Sequence, residues 1–172
     1  RPELLFYGQT IAARQVELRP LVAGRVIAVS PSLQSGAAVK AGEPLIEIDP
    51  FDYEIALSNA RANLIEAQAS LAELSSEIEA NKAMLVEQQT QQELREKDEK
   101  RLTSLRTRGA ASSKALDDSR MALLDTKARL IERKFAVQRL LSNKIRQEAT
   151  IERANTELRR AEHELAQTKL TA

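Results

Sequence analysis

The apolar residues after position 50 follow a seven-residue repeat that predicts a coiled coil. In the first part of this region one repeat position is held by Leu57, Leu64, Leu71, Ile78 and Leu85. After Gly109 the repeat returns at eight positions, seven of them aliphatic: Leu116, Leu123, Leu130, Val137, Lys144, Ile151, Leu158 and Leu165. Because a period of 3.5 residues keeps an apolar stripe facing one partner, this pattern predicts long helices that pack along a common seam.

A single glycine divides this region. Gly109 is the only glycine after residue 50, and no proline follows Pro50. A glycine followed closely by serines is a signal that one helix stops and another begins. We therefore predict helix 1 at about 51–108, a turn at 109–112 and helix 2 at about 113–168, folded as an antiparallel hairpin rather than one unbroken helix. Each arm is roughly 85 Å long at 1.5 Å per residue.

The first fifty residues have a different pattern, with all five prolines and the other four glycines. Short runs of β-branched and apolar residues between these turn formers predict a small β lobe. Asp49 can cap a helix and Pro50 fits its first position, so the helical region begins here. The predicted fold class is mainly α with a small β lobe, in which the strand after Thr168 returns to pair with residues 20–49.

The seam of helix 1 becomes polar towards the turn. Gln88, Gln92, Arg95 and Glu99 stand at positions where apolar residues would be expected. Two interpretations remain open. The distal coil is either weakly packed and frayed, or its packing is completed by neighbouring hairpins or a partner protein.

Composition excludes several classes of function. The formal net charge is +1 and aromatic residues make up 3% of the chain, so nothing favours nucleic acid as a partner. Cysteine is absent, and no apolar run is long enough to span a bilayer. The only histidine, His163, is predicted to face solvent. We find no catalytic constellation and expect no enzyme activity, no cofactor and no metal.

The two halves together resemble the periplasmic adaptor proteins of tripartite pumps, the HlyD-like membrane fusion protein family. In that family one half of a lipoyl-like β domain precedes a helical hairpin, and the chain then returns to complete the domain. Residues of this chain that resemble the first half-motif are Gly24-Arg25-Val26, Gly36, Val39, Gly42, Leu45 and the stretch IDPFDY. Residues that resemble the return of the chain are Ala161, Leu165, Thr168, Leu170 and Ala172. The resemblance implies that 1–19 is a strand segment leading in from a β-barrel, that 20–49 is the first lipoyl half, that 50–168 is the hairpin and that 169–172 begins the second half.

The likeness to lipoyl domains raises an alternative from another class, a swinging-arm carrier. Such carriers place a modified lysine in the turn after a strand like PLIEID. Here that place holds Pro50, Phe51 and Asp52, and no lysine occurs between Lys40 and Lys82. A biotin or lipoate carrier is therefore disfavoured.

The predicted turn is basic, with five cationic residues and no acid between Lys100 and Leu116. The spacing of Arg101, Leu105 and Ser112 resembles the tip motif of adaptors that dock an outer-membrane channel of the TolC type. The resemblance implies that Arg101 hydrogen-bonds the channel, that Leu105 supplies an apolar contact and that Ser112 is a small polar residue at the turn. Ser112 is equally explained as the N-cap of helix 2. A solvated end is the alternative explanation of the charges.

The resemblance implies a function as an adaptor in the periplasm of a Gram-negative bacterium, anchored at the inner membrane in the full-length protein. It would link an inner-membrane transporter, most often of the RND class, to the outer-membrane channel, and self-associate as a ring, typically a hexamer. The alternative within the family is an adaptor for type I secretion or another ABC transporter. The alternative from another class is a structural coiled-coil scaffold, against which the lipoyl half-motif argues.

Overall fold

The computed structural model describes residues 7–9 and 11–172. Its elements are strand β1 (Val26–Val29), a short 3-10 helix (Pro31–Leu33), strand β2 (Pro44–Ile48), helix α1 (Phe51–Thr107), helix α2 (Ser113–Ala166) and strand β3 (Lys169–Thr171). The chain divides into two compact units, Arg1–Ile55 with Glu162–Ala172, and Ala56–Ala161. The predicted fold class, two long helices with a small β lobe, is confirmed.

The β lobe is a three-stranded antiparallel sheet in the order β1-β2-β3. The return strand β3 pairs with β2, with Ile46 opposite Leu170 and Glu47 opposite Lys169. The Ile48 N–H donates to the Thr168 carbonyl at 2.8 Å, which extends this pairing to the end of β2. The prediction that the segment after Thr168 pairs with the N-terminal lobe is confirmed.

The lobe buries little apolar surface. Leu45, Ile48 and Thr168 are its buried residues, whereas every residue of β1 is exposed. Val26 and Val29 of that strand are 50% and 60% exposed. One sheet with an uncovered apolar strand is the arrangement expected of half a sandwich, and such a lobe contributes little independent stability.

The strand expected within residues 1–19 is not found. Residues 1–6 and 10 lie outside the described residues, and 7–9 and 11–19 contain no strand. Tyr7, Ile11 and Val16 are 94%, 80% and 78% exposed. A strand needs a partner for its backbone groups, and this segment has none among the described residues.

Helix α1 begins as its sequence predicts. The Asp49 carboxylate accepts the Phe51 N–H at 3.2 Å, and the Pro50 carbonyl accepts the Glu54 N–H at 2.9 Å. The Tyr53 hydroxyl donates to the Ala23 carbonyl at 2.6 Å. This last bond ties the first turn of the helix to the segment that leads into β1.

In the second unit, α1 and α2 pack as an antiparallel pair along the predicted seam. The buried residues of this unit are Leu57, Ala60, Ala67, Ile78, Leu116, Thr126, Leu130, Val137 and Ala161, and all occupy the two seam positions of the repeat. The Gln147 side-chain amide donates to the Ala67 carbonyl, and Arg133 donates to the Asn81 side chain, each at 3.0 Å. Contacts between late residues of α2 and early residues of α1 establish the antiparallel direction.

In the stretch of α1 from 88 to 99 the seam is polar and ion pairs replace apolar contacts, whereas Leu116, beside the turn, is buried again. Lys127 pairs with Glu96 at 3.3 Å, and Arg120 pairs with Glu99 at 3.3 Å. Hydrogen bonds from Gln92 and then Lys127 lower the pKa of Glu96. Arg95 stands at a seam position of the repeat but is exposed, whereas the neighbouring Glu96 is half-buried and has partners on both helices.

One seam atom lacks a partner. The side-chain oxygen of Gln88 is buried and accepts no hydrogen bond within the described part of the chain. A buried unpaired acceptor costs about 1–3 kcal/mol. The helix pair is therefore held less firmly near the turn than in its apolar part.

The turn between the helices is set by Gly109, whose φ is +74°. The Gly109 N–H donates to the Arg106 carbonyl and the Ala110 N–H donates to the Leu105 carbonyl, both at 2.9 Å. This is a Schellman motif, in which a residue of left-handed conformation satisfies the last free carbonyls of a helix. At the other side of the turn, the Ser112 hydroxyl accepts the Ala115 N–H at 3.1 Å and caps α2.

We predict that Gly24→Ala destabilises the β lobe by about 1–3 kcal/mol. A Cβ at this position would overlap the Cγ2 methyl of Ile48, which is 2% exposed and cannot move aside freely. Amide exchange at Ile48 should accelerate in the variant, whereas exchange at Ile78 in the seam should not change. Equal protection of Ile48 in both proteins would contradict the prediction.

We predict that Gly109→Ala destabilises the hairpin by about 1 kcal/mol, because residues with a Cβ disfavour positive φ. Nothing lies within 4 Å of the added Cβ, so the cost is purely conformational. Gly109→Asn should cost less, since asparagine tolerates this conformation. Urea unfolding followed by circular dichroism measures both, and equal losses for the two variants would show that conformation is not the cause.

Candidate functional site

The candidate site is the hairpin tip, defined as the end of α1, the turn and the start of α2, residues 98–116. Arg101 lies near the end of α1 with its side chain 69% exposed. Its guanidinium contacts the Asp98 carboxylate at 2.9 Å, one turn earlier on the same helix. An exposed pair of this kind is worth less than about 1 kcal/mol, so the guanidinium can exchange Asp98 for another acceptor at little cost.

Leu105 follows Arg101 by four residues, so both lie on the same side of α1. Its side chain is 36% exposed, while its carbonyl accepts the N–H groups of Ala110 and Arg108 at 2.9 and 3.2 Å. The backbone of Leu105 is thus fixed by the Schellman motif. An apolar side chain on a fixed backbone can contact a partner without a large loss of conformational entropy.

Ser112 has the structural role that the sequence allowed for it, the N-cap of α2. Its hydroxyl oxygen is used by the Ala115 N–H, but the hydroxyl hydrogen can still be donated to another molecule. Arg101, Leu105 and Ser112 therefore all lie at the tip. Locally, the Arg101 side chain contacts Asp98, the Leu105 carbonyl accepts N–H groups of the turn, and the Ser112 hydroxyl caps α2. Sequence reasoning missed the pairing of Arg101 with Asp98, although the spacing of three residues on a helix could have indicated it.

The charges of the tip are open to solvent. Arg106, Arg108 and Lys114 are exposed, and none of their side chains is in an ion pair within the described residues. Arg106 and Arg108 lie at the C-terminal end of α1, where the helix dipole favours cations. The tip thus offers several free cationic donors to acceptors on another molecule, beside the apolar side chain of Leu105.

Three other features of the described part of the chain bear on function: metal-binding groups, membrane-spanning helices and the place of a carrier lysine. No group of three or more residues able to hold a metal ion is found there. No helix there has the length and apolar character needed to cross a bilayer. The place of a carrier lysine, after β2, is taken by the start of α1 at Phe51. His163 is exposed.

The chain is similar in sequence to linker proteins of efflux pumps. It is 47% identical over 66 residues to the antibiotic efflux pump periplasmic linker protein ArpA of Pseudomonas putida and equally to the toluene efflux pump periplasmic linker protein TtgA of the same species. It is 42% identical over 65 residues to the multidrug resistance protein MdtA of Escherichia coli. Each match covers 38% of this chain but only 15–17% of the relative. No protein-family model matches.

Among solved structures, the periplasmic adaptor protein EmrA has a similar fold. The two superpose with a TM-score of 0.51 at 19% sequence identity, over 87% of this chain and 60% of the other. The sequence matches and the fold lead to the same group of proteins. The resemblance of this chain to the periplasmic adaptor, or membrane fusion protein, family is therefore confirmed.

Proposed function

We propose that this chain is part of a non-enzymatic periplasmic adaptor of an efflux or secretion system, and that its hairpin tip docks a TolC-type outer-membrane channel. The observation that carries the proposal is that Arg101 and Leu105 lie on the same side of α1, next to the capped turn in which this helix ends. A rigid end with an available guanidinium and an apolar side chain suits contact with backbone carbonyls or carboxylates of another protein.

The rest of the assembly follows from the same proposal. The relatives are named as periplasmic linkers of efflux pumps, which supports a periplasmic location and a place between an inner-membrane transporter and the channel. We propose an RND transporter, inner-membrane anchoring of the full-length protein and a ring of copies, hexameric by resemblance. The domain division also belongs to this proposal: 1–19 is the lead-in from the barrel, 20–49 the first lipoyl half, 50–168 the hairpin and 169–172 the start of the second lipoyl half. Residues 7–9 and 11–19 contain no strand.

Two alternatives predict different behaviour. An adaptor for type I secretion or another ABC transporter would also dock through the tip but would depend on ATP hydrolysis for export. A structural coiled-coil scaffold would need neither the tip nor the β lobe for its function. The confirmed pairing of β3 with β2 favours an adaptor, because a scaffold has no need of a strand that returns to the lobe.

We predict that Arg101→Asp in the full-length protein abolishes docking while the hairpin stays folded. The change replaces a donor with an acceptor and leaves the channel's acceptors unpaired, which costs about 2–5 kcal/mol at an interface. Export should fall at least about tenfold. Photo-crosslinking from position 108 to the channel, identified by mass spectrometry, should disappear.

The matched control is Arg129→Asp. Arg129 is also an exposed arginine paired with an aspartate of its own helix, at 3.0 Å to Asp125, but it lies on the stem of α2. This variant should export and crosslink as the unmodified protein does. If Arg101→Asp behaves like Arg129→Asp, the docking assignment is wrong and the basic tip is a solvated end.

We predict opposite effects for the other two tip residues. Leu105→Ser should weaken crosslinking and should cost the hairpin only about 1–2 kcal/mol, because the residue is already 36% exposed. Ser112→Ala should lower hairpin stability by about 1 kcal/mol through loss of the cap, with export nearly unchanged. A strong export defect in Ser112→Ala, with normal stability, would show that the hydroxyl contacts the partner directly.

A further inference from the structure

Helix α2 has a second apolar stripe that the hairpin itself does not use. We call it the outer α2 stripe: Met121, Leu124, Ala128, Ile131, Phe135, Gln138, Ser142, Ile145 and Ala149, all of them exposed. Phe135 and Ile145 are 61% and 67% exposed. The spacing alternates between three and four residues, as in the seam, so the stripe has the periodicity of a helix–helix contact.

Helix α1 has a stripe at the corresponding repeat positions, but its residues are mostly small. We call it the outer α1 stripe: Ala62, Ile65, Ala69, Ala72, Ser76, Glu79, Ala83, Val86 and Thr90, again all exposed. Large side chains on one helix pack well against small ones on the facing helix, because the layers interdigitate. Each stripe therefore has the surface that the other needs.

We propose that the outer α2 stripe, from Ala128 to Ala149, packs antiparallel on the outer α1 stripe, from Ala69 to Thr90, of a second copy of this chain. The inference rests on the self-association part of the proposed function and gives it a surface and a register. It does not depend on the tip, since Arg101 lies beyond the end of the α1 stripe.

Exposed charges beside the stripes fix the register. On the α1 flank Glu66 and Glu73 are seven residues apart, and on the α2 flank Arg153 and Arg146 are seven apart in the opposite direction. In antiparallel packing one register therefore pairs Glu66 with Arg153 and Glu73 with Arg146. Within the described residues no ion pair engages any of these four side chains, although Arg146 donates a hydrogen bond to Asn143.

The same register places two of the large side chains opposite small ones, while Ile131 lies level with Val86. Phe135 lies level with Ala83, and Ile145 lies level with Ala72 and Ser76. It also sets Glu87 against Glu132, a like-charged pair that weakens the contact, and Arg139 against Ala80, which is neutral. Substitutions at these two positions should therefore have effects specific to this register, which a nonspecific apolar contact would not show.

The two stripes lie on different helices, so the contact is heterologous. Each copy that uses its α2 stripe leaves its α1 stripe free for another copy, and the result is a closed ring or an open filament rather than a two-fold dimer. A partner other than a second copy would have to reproduce both the small stripe and its acidic flank. This chain already contains both.

Sedimentation equilibrium of the chain tests the proposal. The unmodified chain should self-associate, and Phe135→Glu should weaken its association constant about tenfold or more, whereas Phe135→Leu should nearly preserve it. Glu132→Lys should strengthen association, because it converts the repulsive pair on this flank into an attractive pair with Glu87.

A charge exchange tests the register. Glu73→Arg and Arg146→Glu should each weaken association, and the double variant should restore it, because the pair is reversed rather than lost. The matched control is Arg139→Glu, which makes the same change of charge on the same flank but faces Ala80, and should alter the association constant less than about twofold. Circular dichroism checks that every variant keeps its helices.

Disulfide trapping distinguishes the geometry, since the chain has no cysteine of its own. Ser76→Cys mixed with Ser142→Cys should form a mixed disulfide between copies, because the proposed register sets these two exposed positions level. A monomeric wild-type chain, failure of the charge exchange, or crosslinks only between two Ser142→Cys copies would overturn the proposal. Arg101→Asp should self-associate normally, so loss of docking and loss of lateral packing can be told apart.

Discussion

The apolar seam between α1 and α2 is the interaction on which the second unit depends. Each helix is stabilised mainly by packing against the other, because the hydrogen bonds within a helix contribute little net free energy of their own. Packing of Leu57, Ile78, Leu130 and Val137 into one stripe supplies the missing free energy, and its seven-residue period fixes which face of each helix is buried. The Schellman turn adds little energy, but it makes the two stripes face each other by reversing the chain within a few residues.

The β lobe depends on a different constraint, the pairing of distant segments. The backbone groups of β2 hydrogen-bond on one side to β1 and on the other side to β3, and β3 follows β2 in the sequence only after both long helices. The third strand of the sheet is therefore in place only when the chain has returned to β2 at residues 169–171. The exposed apolar side chains of β1 are consistent with a sandwich whose second layer is not formed by these residues.

The helices and the turn could be predicted from the sequence because each rests on local chemistry. The heptad pattern, the Asp49 cap and the single glycine place α1 and α2 within a few residues of their observed bounds. The strand expected before residue 20 could not be judged in this way, because a strand exists only with a partner and sequence pattern does not supply one. The half-burial of Glu96 was also hidden, since it depends on Lys127 of the other helix. At the tip, Arg101, Leu105 and Ser112 were identified by resemblance to the tip motif of adaptors, whereas the fixed backbone of Leu105 and the pairing of Arg101 with Asp98 needed the structure.

The change in the seam from apolar contacts to ion pairs towards the turn makes the hairpin mechanically uneven. Apolar contacts resist shear between helices because sliding opens voids, while exposed ion pairs can exchange partners or be replaced by water with little loss. The stem should therefore behave as a stiff rod, and the polar stretch before the tip as a compliant joint. Such a joint would let the capped tip adapt its orientation to an imperfectly aligned surface while the stem transmits force, and its compliance would be sensitive to ionic strength.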